Sequence, residues 1–428
     1  MRKRSKAVRG GVSRRGFLKA TGVIGAAAAL ESARPWFGPA ILHAEEPIKI
    51  GHISPQTGFL AAIGKYSDAG AQLAVNEINE AGGLLGRKVQ LINEDEANPG
   101  VAAQKARKLI EKDQVIAITG IVSSASALVV GDEAQRAKIL FINAGANSDE
   151  IRGARCHRYV FSTEGSNTQY VSAVATWLLQ QPKLKRWYFL TSDYAFGHDL
   201  LKVAQKLLQK AGREQVGSEL VPTGSADFSS YLLKVKAAQP DLVFQNLAGS
   251  DQTNFLKQFK EFGLDMEVAG GLVDTAVVWP VGVESLTGHF PLLWWHELKY
   301  PGVPEFVAKF RKIAGGHPPE NQGWGDYTAI KALGEVIKKV GSADSKAIVK
   351  AMEGFQFDSF KGRTLYFREW DHQLIMPMYT VRTKKKTEMK DKWDIFEVIA
   401  EVPAQGQSAE SIAISKAESL CTKMEPQD

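Results

Sequence analysis

Short apolar stretches of β type alternate with longer stretches of helical spacing along most of the chain. Residues 48–53 alternate apolar and polar side chains as a strand does, whereas residues 66–80 place apolar side chains three and four positions apart, as a helix does. The same patterns predict a helix over residues 101–112 and strands over residues 87–92, 115–119, 139–143, 187–191, 241–245 and 267–269. Strands separated by helices of this length predict right-handed βαβ units and mainly parallel sheets.

Size and composition predict that these units form two domains. The chain has 428 residues, of which 44% are hydrophobic and 23% are charged, as in ordinary soluble globular proteins. This length exceeds what a single hydrophobic core usually holds. We therefore predict an α/β fold with two Rossmann-like lobes, each built on a mainly parallel sheet.

The N-terminal residues have the pattern of an export signal. The sequence SRRGFLK at residues 13–19 places Arg14 and Arg15 before a mildly apolar run at residues 20–30, which is much shorter than the ~20 residues that a membrane-spanning helix needs. The alternative is an ordinary basic helix start. We expect residues 1–44 to be a twin-arginine signal peptide that the Tat translocase recognises, so that the mature protein works in the periplasm.

The same leader accounts for the basic character of the chain. The formal net charge is +6, yet residues 1–44 hold nine Lys or Arg and one Glu. The mature protein is therefore slightly acidic, which gives no reason to expect nucleic acid or an anionic membrane surface as a partner.

Two cysteines, Cys156 and Cys421, are the only ones in the sequence. They are too few for a zinc, haem-attachment or C-x-x-C pattern. In an oxidising compartment they could pair with each other, but the sequence does not show whether they come close enough.

Candidate binding residues follow the predicted strands, where open α/β sheets bind ligands. Ser123 and Ser124 come just before a helix expected to begin at about Ala127, so their hydroxyl and N–H groups could hold a carboxylate or simply cap the helix. After the next strand, Gly145 permits close approach of a ligand and Asn147 adds a polar group. The same residues are also typical of an ordinary turn with no role in binding.

Further candidates follow the strands of the second half. Tyr194 and Phe196 come directly after the strand at residues 187–191, and Asp274 follows the strand at residues 267–269. Trp295 lies near the place where the chain is expected to pass between the lobes late in the sequence. Aromatic side chains at these positions could enclose a ligand or could belong to the core.

Motifs for catalysis or cofactor binding are missing from the sequence. It contains no G-x-G-x-x-G and no G-x-S-x-G, and its Ser, His and Asp residues have no recognisable catalytic arrangement. We therefore expect a protein that is not an enzyme and that holds no cofactor or metal ion; an enzyme exported by the Tat route is the less favoured alternative.

The order of several short segments resembles a known family. These segments are residues 48–51 with Thr57-Gly58, 71–79, 82–87, 94–99, Gly120 with Ser123-Ser124, 142–147 and 193–197. Together they make residues 47–380 similar to the class I periplasmic substrate-binding proteins of ABC importers, in the branch of the leucine/isoleucine/valine-binding proteins. The resemblance implies two lobes joined by a three-crossing hinge. It places one lobe at residues 45–163 and 293–372, and the other, with the C-terminal tail, at residues 164–292 and 373–428.

The resemblance also implies roles for individual residues. Ser124 or Ser123 corresponds to the family serine that binds the ligand carboxylate, and Gly145 and Asn147 fall where the family binds carboxylate and ammonium. Phe196 falls on a tyrosine of the members that bind amino acids, and Tyr194 lies two residues before it. The family acid that pairs with the ligand ammonium aligns near Leu272, and Asp274 is the nearest carboxylate.

The function implied is capture of a small carboxylate-bearing ligand and its delivery to a membrane permease. The ligand would be a branched-chain or other amino acid, an amide or an aromatic acid. A periplasmic receptor that senses a ligand for a regulator is the alternative within the same fold.

Overall fold

The computed structural model describes residues 46–422 and residue 424. The predicted signal peptide, with Arg14 and Arg15, lies outside these residues. The described strands are β1 Ile48–Ser54, β2 Val89–Asp95, β3 Ala117–Gly120, β4 Leu140–Asn143, β5 Val160–Ser162, β6 Arg186–Ser192, β7 Glu214–Val221, β8 Leu242–Asn246, β9 Glu267–Gly270, β10 His289–Leu292, β11 Gln356–Phe357, β12 Leu365–Phe367, β13 Leu374–Ile375, β14 Met378–Thr383 and β15 Phe396–Val402.

The helices alternate with the strands through most of this order. They are α1 Ala61–Glu80, α2 Pro99–Glu111, α3 Ser124–Ala137, α4 Asn167–Leu178, α5 Ala195–Lys210, α6 Ser229–Ala238, α7 Ser250–Glu261, α8 Thr275–Val278, α9 Val303–Ile313, α10 Asn321–Val340 and α11 Ser345–Met352. No helix among the described residues is both long enough and apolar enough to cross a membrane.

Two large sheets organise the fold. The first has five parallel strands in the order β2-β1-β3-β4-β5. The second has seven strands in the order β15-β14-β10-β9-β8-β6-β7, parallel from β10 to β7 and antiparallel at β14 and β15. All residues of β3, β4 and β8 are buried, as expected for parallel strands covered on both faces. The predicted α/β class with mainly parallel sheets is confirmed.

The predicted elements lie close to those observed, with two kinds of difference. Helix α3 begins at Ser124 rather than at about Ala127, and α1 begins at Ala61 rather than at Tyr66, because small residues there continue the helix without extending the apolar pattern. The sequence patterns also did not predict β5, β7 and β10 of the two large sheets, the antiparallel strands β14 and β15, or the small antiparallel sheet β11-β12-β13.

The chain passes repeatedly between the two large sheets. It leaves the first sheet after β5, and α9 and α10 later return to pack on α1. It then enters the small sheet, which pairs with the end of β5 through Ser162 and Gln373, and returns to the second sheet at β14. The candidate binding residues lie in the segments that follow the carboxyl ends of parallel strands in both sheets.

The two cysteines form a disulfide, with their Cα atoms 5.6 Å apart. The C-terminal segment that carries Cys421 is also held by hydrogen bonds: Arg368 donates to the Ile414 carbonyl at 2.8 Å, and Arg158 donates to the Met424 carbonyl at 2.7 Å. This segment therefore has both covalent and polar attachments to the folded body.

Candidate functional site

Loops from the two large sheets touch each other at the predicted site. Phe59 lies in the loop after β1 of the first sheet, and Ser250 begins α7 after β8 of the second sheet. The Ser250 N–H donates to the Phe59 carbonyl at 3.0 Å. Gly249 has a φ of +57°, and a Cβ there would lie 2.3 Å from the same carbonyl, so only glycine allows this contact.

Five of the predicted binding residues surround one small void between these loops. Gly145 and Asn147 come from the first sheet, and Tyr194, Phe196 and Asp274 come from the second. The void measures about 10 Å³, which is room for about one water molecule. The structure therefore brings these five residues together in a closed arrangement, and a larger ligand would require the loops to separate.

A wider cavity of about 270 Å³ lies beside this void. Ser123 and Tyr194 line it together with Glu96 and the loop that follows β1. Leu60 and Tyr194 line both spaces, so the two are neighbours. Two larger cavities, of about 360 and 550 Å³, lie beside the C-terminal segment and contain none of the predicted ligand-binding residues.

Two of the predicted residues lie outside these spaces. The Ser124 side chain is buried, and its hydroxyl oxygen accepts the Ser148 N–H at 3.2 Å, so it holds the neighbouring loop in place. Trp295 packs in the core, where its ring lies 4.2 Å from that of His296 and 5.6 Å from that of Phe396. It lines neither space, so the structure does not bring it together with the other predicted residues.

Two N–H groups just before α3 are already used within the chain. The Glu96 carboxylate accepts the Val122 N–H at 2.9 Å and the Ser123 N–H at 2.8 Å. Glu96 follows β2, and its side chain is only 2% exposed. Burial raises its pKa to about 7, although these two hydrogen bonds oppose the shift. A carboxylate of the chain itself therefore occupies the Ser123 N–H, and ligand binding by Ser123 and Ser124 stays a prediction.

Asn147 is held by a buried carboxylate that the sequence analysis missed. Its side-chain amide donates to Glu164 Oε1 at 3.0 Å and to the Gly165 carbonyl at 3.4 Å. Glu164 Oε1 also accepts the Tyr170 hydroxyl at 2.7 Å. Burial raises the pKa of Glu164 to about 7. Asn147 is therefore fixed by its neighbours at the edge of the void.

Asp274 is a buried carboxylate with unused hydrogen-bonding capacity. Its side chain is 2% exposed, and Oδ1 has no hydrogen-bond partner among the described residues. Burial raises its pKa to about 7, and the side chain of Gln322 and the backbone of Gly249 oppose the shift. Gln322 lines the same void and is 1% exposed, and its Oε1 also lacks a partner in the described part of the chain.

Aromatic rings form one wall of the site. The ring centroids of Phe59 and Tyr194 are 5.8 Å apart in an edge-to-face arrangement, and those of Tyr194 and Phe196 are 5.7 Å apart. Because Phe59 belongs to the first sheet's loops and the other two to the second's, the wall spans both sides of the site. No group of three or more His, Cys, Asp or Glu side chains among the described residues is placed to hold a metal ion.

A buried arginine supports the loop that carries Gly145 and Asn147. Arg152 donates to the carbonyls of Ala146 at 3.2 Å, Ser148 at 3.0 Å and Glu164 at 2.8 Å. It therefore ties this loop to the segment that leaves the first sheet. Burial lowers its pKa, while the carboxylates around it oppose that change.

Of the site residues that were not predicted, only one had a signal in the sequence. Glu96 comes shortly after the predicted strand at residues 87–92, so the sequence indicated that it lies at a possible ligand-binding edge, but not that its side chain contacts the residues before α3. Glu164 and Gln322 follow no predicted strand and carry no motif. They reach the site because the chain passes between the sheets after β5 and because α10 returns to the first sheet.

Comparisons with known proteins agree with this architecture. The sequence model of a family described as periplasmic binding protein matches residues 47–388. A Leu/Ile/Val-binding protein homolog 7 from Brucella melitensis is 28% identical over 352 residues, which cover 77% of this chain and 86% of that protein.

Solved structures of similar proteins cover nearly the same part of the chain. An amino acid ABC transporter substrate-binding protein from Pseudomonas fluorescens Pf-5 is 28% identical with a TM-score of 0.78, covering 89% of this chain and 100% of that one. A solute-binding protein of an ABC transporter from Rhodopseudomonas palustris BisB5, solved with 3,4-dihydroxybenzoic acid, is 27% identical with a TM-score of 0.75. That match covers 83% of this chain and 96% of the other.

Proposed function

Because the chain belongs to the periplasmic binding protein family, we propose that it is the solute-binding component of an ABC importer, which captures a small organic solute between two lobes and delivers it to a membrane permease. The observation that carries this proposal is the void bounded by Gly145 and Asn147 on one side and by Tyr194, Phe196 and Asp274 on the other. A site divided between two sheets can couple ligand contact to closure of the lobes.

The two large sheets are the centres of the proposed lobes. Residues 45–163 and 293–372 form one lobe, and residues 164–292 and 373–428 form the other with the C-terminal tail. The contact between Phe59 and Ser250 then joins the lobes in the closed state, which the permease recognises.

The relatives indicate the size of the solute. One is named a Leu/Ile/Val-binding protein homolog, and another was solved with 3,4-dihydroxybenzoic acid. The solute proposed for this chain is of the same size, and the wall of Phe59, Tyr194 and Phe196 contacts its apolar part.

Solute released from the purified protein tests the proposal directly. Mass spectrometry of the small molecules released on denaturation should detect one organic solute, at up to one molecule per protein chain. Adding this solute to the solute-free protein should raise the melting temperature. Phe196→Ala should weaken its binding in calorimetry, whereas Leu233→Ala, at an exposed position, serves as the control. Unchanged affinity in the Phe196 variant would place the site elsewhere.

Export is tested separately from binding. We propose that the twin-arginine signal at Arg14 and Arg15 directs the chain to the periplasm. Replacing both residues by lysine should retain the protein in the cytoplasmic fraction, as judged by cell fractionation. Normal export of that variant would show that another signal is used.

A further inference from the structure

The C-terminal segment, residues 403–422, runs from the second sheet to the first. It follows β15, an edge strand of the second sheet, and its Cys421 is bonded to Cys156. Cys156 lies between β4 and β5, which are neighbouring strands of the first sheet. The disulfide therefore joins the two sheets covalently, in addition to the passages of the main chain between them.

The middle of the segment lies against a helix of the second sheet. Its short turn Ala409–Ile412 contacts α4, and the Ile412 side chain is buried. Helix α4 packs on β10 and β14 of the second sheet, where the ring of Trp177 stacks on that of His289 with the centroids 3.6 Å apart. This part of the segment is thus attached to the lobe built on the second sheet.

The small sheet β11-β12-β13 holds the same part of the segment. The Tyr366 hydroxyl donates to Glu410 Oε1 at 2.6 Å, and Arg368 donates to Glu410 Oε2 at 2.9 Å. This sheet packs on the first large sheet: the ring centroids of Phe161 in β5 and Phe367 in β12 are 5.3 Å apart in an edge-to-face arrangement. The segment is therefore attached to the lobe of the first sheet at the disulfide and again at Glu410.

The segment also borders a direct contact between the two lobes. The N–H of Asp149, which follows β4, donates to Asp199 Oδ2 in α5 at 2.7 Å. Asp149, Asp199 and Leu420 line one cavity of about 360 Å³, so the segment lies beside the place where the lobes meet. Separation of the lobes must strain or break the contacts of Glu410 or of Ile412, while the disulfide keeps the end of the segment on the first sheet.

We propose that the C-terminal segment and its disulfide limit how far the two lobes separate in the solute-free protein. This inference rests on the proposed two-lobed solute-binding function and adds a control of its open state. A cross-link between two moving bodies removes the most open conformations from the ensemble, so the free energy that solute contacts must supply for closure becomes smaller. Breaking the bond should therefore widen the opening and weaken solute binding.

The distance between two labels measures this opening. Gln104 in α2 and Ser230 in α6 are exposed, and ketone-bearing amino acids at these positions can be labelled without modifying a cysteine. The two helices border the wide cavity of about 270 Å³ from different lobes, since Pro99 of α2 and Thr223 before α6 both line it. Separation of the lobes therefore lengthens the distance between the labels, which pulsed electron paramagnetic resonance records.

The disulfide is removed in solute-free, dialysed protein. The double variant Cys156→Ser, Cys421→Ser should have a broader distribution than the oxidised wild type, with a mean distance longer by more than about 2 Å. Reduced wild type should resemble the double variant, which reductant should leave unchanged. Gly70→Ala, which disturbs packing of α1 on α10 within one lobe, is the control for a general loss of stability and should keep the wild-type distance. Equal distributions in the oxidised wild type and the double variant would overturn the inference.

Adding solute back separates this inference from the proposed function. The probe is the concentrated extract of small molecules released from denatured wild-type protein. A longer solute-free distance in the double variant that the extract then shortens supports both. If the extract shortens the distance in every form while the solute-free distances are equal, only the inference is wrong; if it shortens the distance in no form, the proposed capture between two lobes is wrong. Melting curves establish that the double variant is folded, and reduced wild type decides the question if it is not.

Discussion

Cys156 is bonded to Cys421, 265 positions later in the chain, and this bond fastens the C-terminal segment to the loop before β5. Cross-linking residues so far apart removes much conformational freedom from the unfolded chain. We expect Cys421→Ser to lower the free energy of unfolding by about 3 kcal/mol. Urea unfolding without reductant measures this change.

Reduced wild-type protein is the control for the cysteine variant. A thiol reductant should lower the wild-type stability to that of Cys421→Ser and should leave the variant unchanged. The double variant with Cys156→Ser should be no more stable than the single one, because neither can form the bond and the serine hydroxyl would be fully buried. Equal stability of the oxidised wild type and the variant would show that the bond contributes nothing.

Glu164 should make stability depend on pH. Burial raises its pKa in the folded state to about 7, against an ordinary value of 4.5. The folded state therefore binds this proton more tightly than the unfolded state, so the group lowers stability as pH rises from about 4.5 to 7. Glu164→Gln should raise the free energy of unfolding by up to about 3 kcal/mol at pH 8, with little effect near pH 4.5.

Glu164→Gln removes the charge but keeps the hydrogen bonds of the side chain. A glutamine Oε1 can still accept the bonds from Asn147 and Tyr170, while Oε2 has no partner to lose among the described residues. Denaturant unfolding at several pH values measures the effect, with exposed Glu305→Gln as the control. A loss of stability at pH 8 would mean that the charged form is favoured by the fold.

The fold was largely predictable because its strands and helices have distinct apolar periods. The run at residues 48–53 reads as a strand from its alternation, and β1 covers it. The place of β14 and β15 in the second sheet was not predictable from such periods. The two strands join that sheet antiparallel at one end, and α9, α10 and α11 separate them in sequence from β10. Sequence pattern predicts an element more readily than it predicts the sheet the element joins.

The site was predictable only where the residues follow parallel strands. Gly145, Asn147, Tyr194 and Phe196 all come after strands, and the loops that carry them meet. The hydrogen-bond partner of the buried Asp274 carboxylate does not follow a strand: Gln322 lies in the first turn of α10. Such contacts depend on the passages between sheets, which no local pattern encodes.

Arg152 should control both stability and solute affinity. Its guanidinium group joins the carbonyls of Ala146, Ser148 and Glu164, and carboxylates around it compensate its charge. Arg152→Met should lower the free energy of unfolding by about 3 kcal/mol, because it leaves those carboxylates without a buried cation. It should also weaken solute binding, since the loop with Gly145 loses its support.

The neighbouring Arg155 provides the control for this variant. Its side chain is largely exposed and pairs with Asp132 at the surface. Arg155→Met should change stability by less than about 1 kcal/mol. Urea unfolding and calorimetry with the released solute measure both variants, and equal effects would contradict the supporting role of Arg152.

Close packing of α1 on α10 gives a final prediction. A Cβ at Gly70 would lie 2.1 Å from the Gly323 carbonyl oxygen, which is backbone and cannot turn away. Gly70→Ala should therefore push the helices apart and lower the free energy of unfolding by about 3 kcal/mol. Gly100→Ala in α2 is the control, because its Cβ would approach only the Asn98 side chain, at 3.3 Å, and alanine favours the helix. Similar urea midpoints for the two variants would show that the contact between α1 and α10 adapts without cost.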